Sequence, residues 1–263
     1  MLTEMEPRTG VHPTAVVEED VVLGDHVSVG PYCIVGPDVT LGDGTVLDSH
    51  VRIRNTVVGT GCHIHHGAVL GTDPQDLKFR GEDTKLVVGD RTVIREYATL
   101  NRGTAASGQT VVGSDALLMA YSHVAHDCVI GDHVILSNAV NMGGHVEIQD
   151  WAIVGGLTAV HQFVRIGTHS FVGGASRVAK DVAPFVRAAG SPIEMVGLNS
   201  VGLQRRGFSA EARQELKRAY RIMFRSKLNV TQALERARAD LEMLPEVDLF
   251  LRFFEESERG VSL

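Results

Sequence analysis

The chain has 263 residues and a formal charge of −7; 44% of its residues are hydrophobic and 22% charged, an ordinary balance for a soluble protein. The acidic surplus argues against nucleic acid as a partner, and no apolar run approaches the roughly 18–20 residues that cross a bilayer. Aromatic residues make up only 5% and glycine numbers 28, which is unusual for a compact α/β enzyme.

The opening stretch, MLTEMEPRTG, is polar and acidic and lacks the apolar core of a signal peptide. Three cysteines, Cys33, Cys62 and Cys128, do not make a disulfide framework. A reducing, cytoplasmic location is the expectation.

A period of six begins at Val11 and runs through Val17, Leu23, Val29, Val35, Leu41, Leu47 and Ile53, all aliphatic. The fifth residue of each step is small or β-branched: Ala15, Val21, Val27, Cys33, Val39, Thr45, Val51 and Val57. The frame then drops one residue and resumes at Val58, Ile64 and Leu70. It returns at Val88, Ile94 and Leu100, and from Val112 to Val178 it is unbroken. The second slot is often glycine (Gly113, Gly131, Gly143, Gly155, Gly167, Gly173), as a turning backbone would favour. A helix repeats near 3.6 residues and a half-buried strand at two. A period of six gives one short strand and one corner, and three such units make a coil of a triangular parallel β-helix. The pattern resembles the hexapeptide-repeat acyltransferases, and that resemblance implies a left-handed coil. The crossover preference alone would favour the right hand.

Two polar excursions, 71–87 and about 101–111, interrupt the prism; loops on a rigid scaffold are where function concentrates. The repeat ends near Pro184, so residues 1–190 are assigned to the β-helix and 191–263 to a helical domain. Ser209 is a plausible N-cap for a helix that places Leu216, Tyr220, Met223 and Phe224 on one face. A second helix is predicted from about Thr231 to Met243. A third starts at Pro245, a favoured first helical position, and runs to about Ser257. This domain closes the end of the prism, whether as a functional part or only as a cap.

The stretch SHVAHDC at 122–128 concentrates reactive side chains. Cys128 occupies an inward small slot, as do Cys33 and Cys62, so a buried small hydrophobe is the reading and a Cys–His nucleophile is not. His126, His145 and His161 fall in hexads that share one prism face, and His123 stands at the corner beside His126. Such a column fits three imidazoles on zinc, activating water. It equally fits one histidine as general base, with Asp127 fixing its tautomer. A chance alignment of histidines is the third reading. A trimer is the expected assembly, because a flat prism face leaves its polar column exposed unless another subunit covers it.

Several local stretches are more specific than the hexads: VHPTAVVEE at 11–19, QDLK at 75–78, RGT at 102–104, HVAHDC at 123–128, GGLTAVHQF at 155–163 and GLQRRGFS at 202–209. Together they resemble the UDP-N-acetylglucosamine O-acyltransferase family, which begins lipid A biosynthesis. The resemblance implies transfer of a 3-hydroxyacyl chain from acyl carrier protein, where it rides on phosphopantetheine, to the glucosamine 3-hydroxyl of the UDP-sugar. No resident cofactor or metal is implied. It assigns His126 as general base, oriented by Asp127, and the Gly144 N–H as oxyanion donor. His123, His145 and His161 become substrate contacts. Gln75, Asp76 and Lys78 would reach the sugar or acyl chain across a subunit boundary. Asn199, Arg205 and Arg206 would face the nucleotide phosphates. Gly174 falls where the family sets chain length, and glycine leaves room for a medium to long chain. The chain departs from the family at Val201, where a glutamate is usual, and at Pro192, where a histidine often stands. Basic residues from Arg177 to Arg225 could form a docking surface for the acidic carrier protein, or simply a solvated helix face. Two other classes remain open at this stage: a zinc hydratase of the hexapeptide-fold carbonic anhydrase type, and a non-catalytic scaffold.

Overall fold

The computed structural model describes residues 9–262. Most of its strands are two or three residues long, one per hexad, and they pair in parallel with strands one coil away. Three sheets of eleven, nine and eight strands form the faces of a prism. The chain visits each sheet in turn, so Ile135 pairs with Ile153 and Ile153 with Phe171. The fold is a left-handed parallel β-helix followed by helices.

The two inward slots build the core. From Val29 onward every aliphatic first slot is buried, and Cys33, Cys62 and Cys128 lie in the small slot with no more than 1% exposure. Each fully buried Leu or Ile contributes about 1.5–3 kcal/mol through removal from water. Val11, Val17 and Leu23 are only partly covered, because their coil is the first described and no coil lies beneath it. One slot differs from the sequence reading. The frame shift falls before Val57, not after it. Thr56 therefore takes the inward slot at 0% exposure, and Val57 faces outward at 39%. The inward Thr56 hydroxyl donates to the Arg54 carbonyl at 2.6 Å, which satisfies its burial.

The glycine-rich second slot also has a different cause from the one expected. None of those six glycines has a positive φ. A Cβ on Gly155 would lie 2.5 Å from the Gly174 nitrogen, so close stacking of coils excludes a side chain there. The turn itself falls on the fourth slot, where φ is near +60° in residues such as Asp127, His133, His145 and Trp151. This conformation costs a non-glycine residue about 1–2 kcal/mol. Backbone bonds between coils, such as His145 N–H to the His126 carbonyl at 3.0 Å, hold it in place.

The first excursion leaves after Val69–Thr72 and returns at Lys85–Val88; the second lies between Thr99–Asn101 and Gln109–Val112. Both leave from the same corner of the prism, one coil apart. Asn101 and Arg102 hold the first in place. The Asn101 amide donates to the Thr72 hydroxyl and the Asp73 carbonyl, and Arg102 pairs with Asp73 at 2.9 Å under the Phe79 ring.

Beyond residue 190 the first sheet continues. Glu194–Leu198 pairs antiparallel with Val186–Ala189. Four helices follow: α1 (Ser200–Arg205), α2 (Ala210–Arg225), α3 (Val230–Asp240) and α4 (Pro245–Glu255). Ser209 caps α2 by accepting from the Ala212 N–H, and Asn229 with Gln232 forms a capping box on α3. That box starts α3 one residue before the expected Thr231, and the helix stops three residues before the expected Met243. Pro245 opens α4. The short α1 has no apolar period to announce it. Leu216, Tyr220 and Met223 are buried, and the Tyr220 hydroxyl donates to the Met195 carbonyl at 2.8 Å. Arg165 on the prism lies over Phe253 of α4, 4.9 Å from the ring centre.

Candidate active site

His126 and Asp127 occupy the third and fourth slots of one hexad, so both lie at the corner where the two excursions leave. The Asp127 side chain is fully buried, and its φ of 59° turns it back over the corner. It accepts from the Thr104 N–H at 2.9 Å, the Thr104 hydroxyl at 2.8 Å, the Ser107 hydroxyl and His126 Nδ1 at 2.7 Å. Its own N–H donates to the Thr110 hydroxyl at 2.8 Å. Burial opposes the ionised form, but the donors from Ser107, Thr104 and His126 outweigh it and hold the carboxyl down at about 2.

An ionised carboxylate only accepts, so it fixes the proton of neutral His126 on Nδ1. Nε2 then carries the lone pair. Among the described residues nothing is hydrogen-bonded to Nε2, and the side chain is 14% exposed. The His126 ring lies against Gly144. A Cβ there would stand 2.5 Å from Cε1 and 2.7 Å from Nε2, so any larger residue would push the ring aside. Among the described residues the Gly144 N–H has no hydrogen-bond acceptor. A basic nitrogen and an open amide donor thus stand side by side, the pair that attack on a carbonyl requires.

His145 stands one coil further on. Its ring meets His126 edge-on at 5.2 Å and stacks on Phe163 at 4.6 Å, and its Nε2 is 3.6 Å from Asp127. His123 is bonded through Nδ1 to the Thr99 hydroxyl at 2.7 Å. Burial lowers its pKa first, and the neighbouring His126 lowers it further, though Thr99 opposes this. The expected third member of the column is absent from the cluster. His161 is in the second slot, on the strand side, and its Nδ1 accepts from Arg259 at 2.8 Å. Phe163, in the fourth slot, takes the corner instead. His126, Asp127 and His145 place their ligand atoms within 4.8 Å of one another. Asp127 already accepts four hydrogen bonds, about as many as a carboxylate has lone-pair sites, so it has little left for a metal. The cysteine reading holds: burial pushes the Cys128 thiol up to about 12, and the group is inert.

The whole chain can be set beside known proteins. Residues 181–262 match the family model described as UDP-N-acetylglucosamine O-acyltransferase, domain 2, and residues 20–55 and 109–144 match the bacterial transferase hexapeptide model. LpxA from Acinetobacter baumannii is 42% identical over 96% of this chain and 99% of its own, with a TM-score of 0.94. LpxA from Bacteroides fragilis, a UDP-N-acetylglucosamine acyltransferase, is 38% identical over 97% and 100%, with a TM-score of 0.95. The chain belongs to the UDP-N-acetylglucosamine O-acyltransferase family. The Arabidopsis UDP-N-acetylglucosamine acyltransferase, 36% identical over 96% of this chain and 100% of its own, has a TM-score of 0.86.

The other site residues expected of a UDP-N-acetylglucosamine O-acyltransferase are spread over the chain. Gln75 and Lys78 are exposed on the first excursion. Asp76 accepts from the Lys78 N–H at 3.0 Å, and none of the three bonds the His126 cluster. Gly174 is exposed at a different corner, where a Cβ would stand 3.1 Å from the Gly156 oxygen. Asn199 is buried and caps α1. Its amide donates to the His169 carbonyl at 2.9 Å, and its oxygen accepts from the Gly202 N–H at 3.2 Å. Arg206 lies over Trp151, 4.6 Å from the ring centre, and donates to the Trp151 carbonyl at 2.9 Å. Burial, and then Arg206, lower the neighbouring His169 to about 4. Arg205 is exposed. Val201 is 60% exposed on α1.

The residues that sequence reasoning missed are Thr99, Thr104, Ser107, Thr110 and Phe163. Thr104 ends the RGT stretch at 102–104, and its contact with Asp127 gives that stretch a role.

Proposed function

We propose that this enzyme transfers a 3-hydroxyacyl chain from acyl carrier protein to the glucosamine 3-hydroxyl of UDP-N-acetylglucosamine, the first step of lipid A biosynthesis. The observation that carries it is the His126–Asp127 pair beside the open Gly144 N–H. A sugar hydroxyl is a weak nucleophile at neutral pH. His126 Nε2 takes its proton as the oxygen attacks the thioester carbonyl, and buried Asp127 stabilises the imidazolium that forms. The Gly144 N–H receives the oxyanion, and the proton then passes to the leaving phosphopantetheine thiolate. No resident cofactor takes part in this scheme.

His123 and His145 line the acceptor site beside the base. Gln75, Asp76, Lys78, His161, Gly174, Asn199 and Arg205 complete it when a neighbouring subunit brings its own corner to this one, as in a homotrimer, and the enzyme works in the cytoplasm. Arg206 is anchored at Trp151 through Nη1, which leaves its Nε and Nη2 for the nucleotide phosphates. Carrier-protein docking falls to the basic groove on α2 lined by Arg213, Lys217, Arg218 and Arg221. Glycine at 174 favours a medium to long acyl chain.

The test is acyl transfer by the purified chain, offered UDP-N-acetylglucosamine and a set of 3-hydroxyacyl carrier proteins. His126→Ala is expected to fold and assemble normally and to lose about 10²–10⁴-fold in turnover. Full activity in that variant would remove the base assignment.

A further inference from the structure

A second group of histidines and a carboxylate lies on a different face, outside the site above. Asp48 is on one coil, and His63 and His65 are on the next, flanking the inward Ile64. Because a strand alternates its side chains, both histidines face outward together. Asp48 Oδ1 is 3.1 Å from His63 Nε2, and Asp48 Oδ2 is 3.1 Å from His65 Nδ1. The two imidazole rings stack with centres 3.9 Å apart. All three offer a ligand atom within 4.8 Å of the others.

We propose that Asp48, His63 and His65 form a binding site for a divalent transition-metal cation of the zinc type. Zinc held at about 2.0–2.1 Å in tetrahedral geometry needs donors about 3.3–3.4 Å apart. Each Asp48 oxygen here lies 3.1 Å from one imidazole nitrogen, and one ligand atom from each of the three residues lies within 4.8 Å of the others, so side-chain rotation alone can close the set on an ion. Two imidazole nitrogens and one carboxylate oxygen suit zinc, and disfavour magnesium or calcium, which prefer oxygen alone. Backbone bonds to neighbouring coils fix all three positions: Asp48 N–H to Ile64, His63 N–H to Thr92 and His65 N–H to Ile94. Metal entry therefore needs little reorganisation of the backbone.

The contrast with Asp127 decides which cluster is the metal site. Asp127 is saturated by the second excursion. Among the described residues the Asp48 carboxylate bonds only its two imidazole neighbours, at 36% side-chain exposure, and so keeps lone pairs for an ion. Glu96 comes within 3.9 Å of His65 Nδ1 but is held by Arg95 through two bonds of 2.9 and 3.0 Å. The fourth position therefore belongs to water. A bound ion would tie one coil to the next across the sheet, a structural clip with no part in acyl transfer.

The test is titration of the chelator-treated full chain with Co(II), followed by competition with Zn(II). One saturable Co(II) per chain is expected, with the visible absorption of a four-coordinate site. His65→Ala and, separately, His63→Gln should each weaken binding by about tenfold or more. His126→Ala should bind as the wild type does. Circular dichroism confirms folding, and His63→Gln, at a half-exposed ring, serves should His65→Ala not fold. The proposal is overturned if the wild type shows no saturable binding, if binding survives both substitutions, or if only His126→Ala abolishes it.

Discussion

The corner at Asp127 and the face at Asp48 are built from the same parts on the same scaffold. Each pairs one aspartate with two histidines, and in each the residues come from adjacent coils. They differ in what covers the carboxylate. The excursion between Asn101 and Gln109 folds Thr104 and Ser107 over Asp127, buries it and supplies donors to both oxygens. Nothing similar covers Asp48; its pKa is lowered chiefly by the hydrogen bond from His63, against partial burial. The loop thus turns an ordinary ion-paired cluster into one with a permanent anion behind a single imidazole. The prism supplies registration, and the excursion supplies the chemistry.

The strongest challenge to that comparison is Gly144→Ala. The added methyl overlaps His126 but no structural turn, so the fold should hold while kcat falls about 10²-fold, as expected for a displaced base. Retained turnover would mean that the His126 ring position is not what matters.

Next in size is Asp127→Asn. Its amide NH₂ would face the donors of Thr104 and Ser107, at a cost of about 1–3 kcal/mol, and turnover should fall with it. Asp48→Asn should cost under about 1 kcal/mol, since Asp48 and its partner His63 are both well exposed. Chemical denaturation of both variants checks the pair, and equal losses would erase the distinction.

The pH dependence sharpens the same point. The Asp127 carboxyl sits at about 2 in the fold against an ordinary 3.8. Its contribution of about 2 kcal/mol is therefore present above pH 4 and is lost as the pH falls through 2. Thermal melts between pH 5 and pH 2 should show a steeper loss for the wild type than for Asp127→Asn. The smallest effect is expected of Cys128→Ala, which should leave turnover unchanged because the thiol only fills an inward slot; a folded but inactive variant would refute the slot assignment.

Much of this was legible in the sequence, because a hexad fixes which residues face inward. The core, the three buried cysteines and the corner that carries His126 and Asp127 all follow from that count. The count fails where a frame shift leaves two choices, as at Thr56 and Val57. It also fails where residues on one face occupy different slots. His161 shares a face with His145 but sits in the second slot, just past the strand Ala159–Val160, whereas Phe163 takes the corner. Contacts made by the excursions carry no period, so Ser107 gives no signal and Thr104 shows only through the RGT stretch. For Asn199 and Arg206 the nucleotide role comes from local resemblance, whereas the cap on α1 and the contact with Trp151 come only from the fold. The HIH triplet at 63–65 was a readable signal that went unused: two histidines flanking an inward isoleucine must share a face.

The corner geometry bears on how such a chain can change its length. The His126–Asp127–His145 cluster needs two adjacent coils, those carrying His126 and His145, and the one excursion that covers Asp127. Residues 18 apart are register partners throughout the unbroken stretch, as with Ile135 and Ile153. Loss or duplication of 18 residues beyond that point would keep every face in place and move the far end by about 4.8 Å. Loss of six would rotate everything beyond by one face. Evolution of the prism is therefore quantised: whole coils can come and go, while smaller changes must leave the frame as loops.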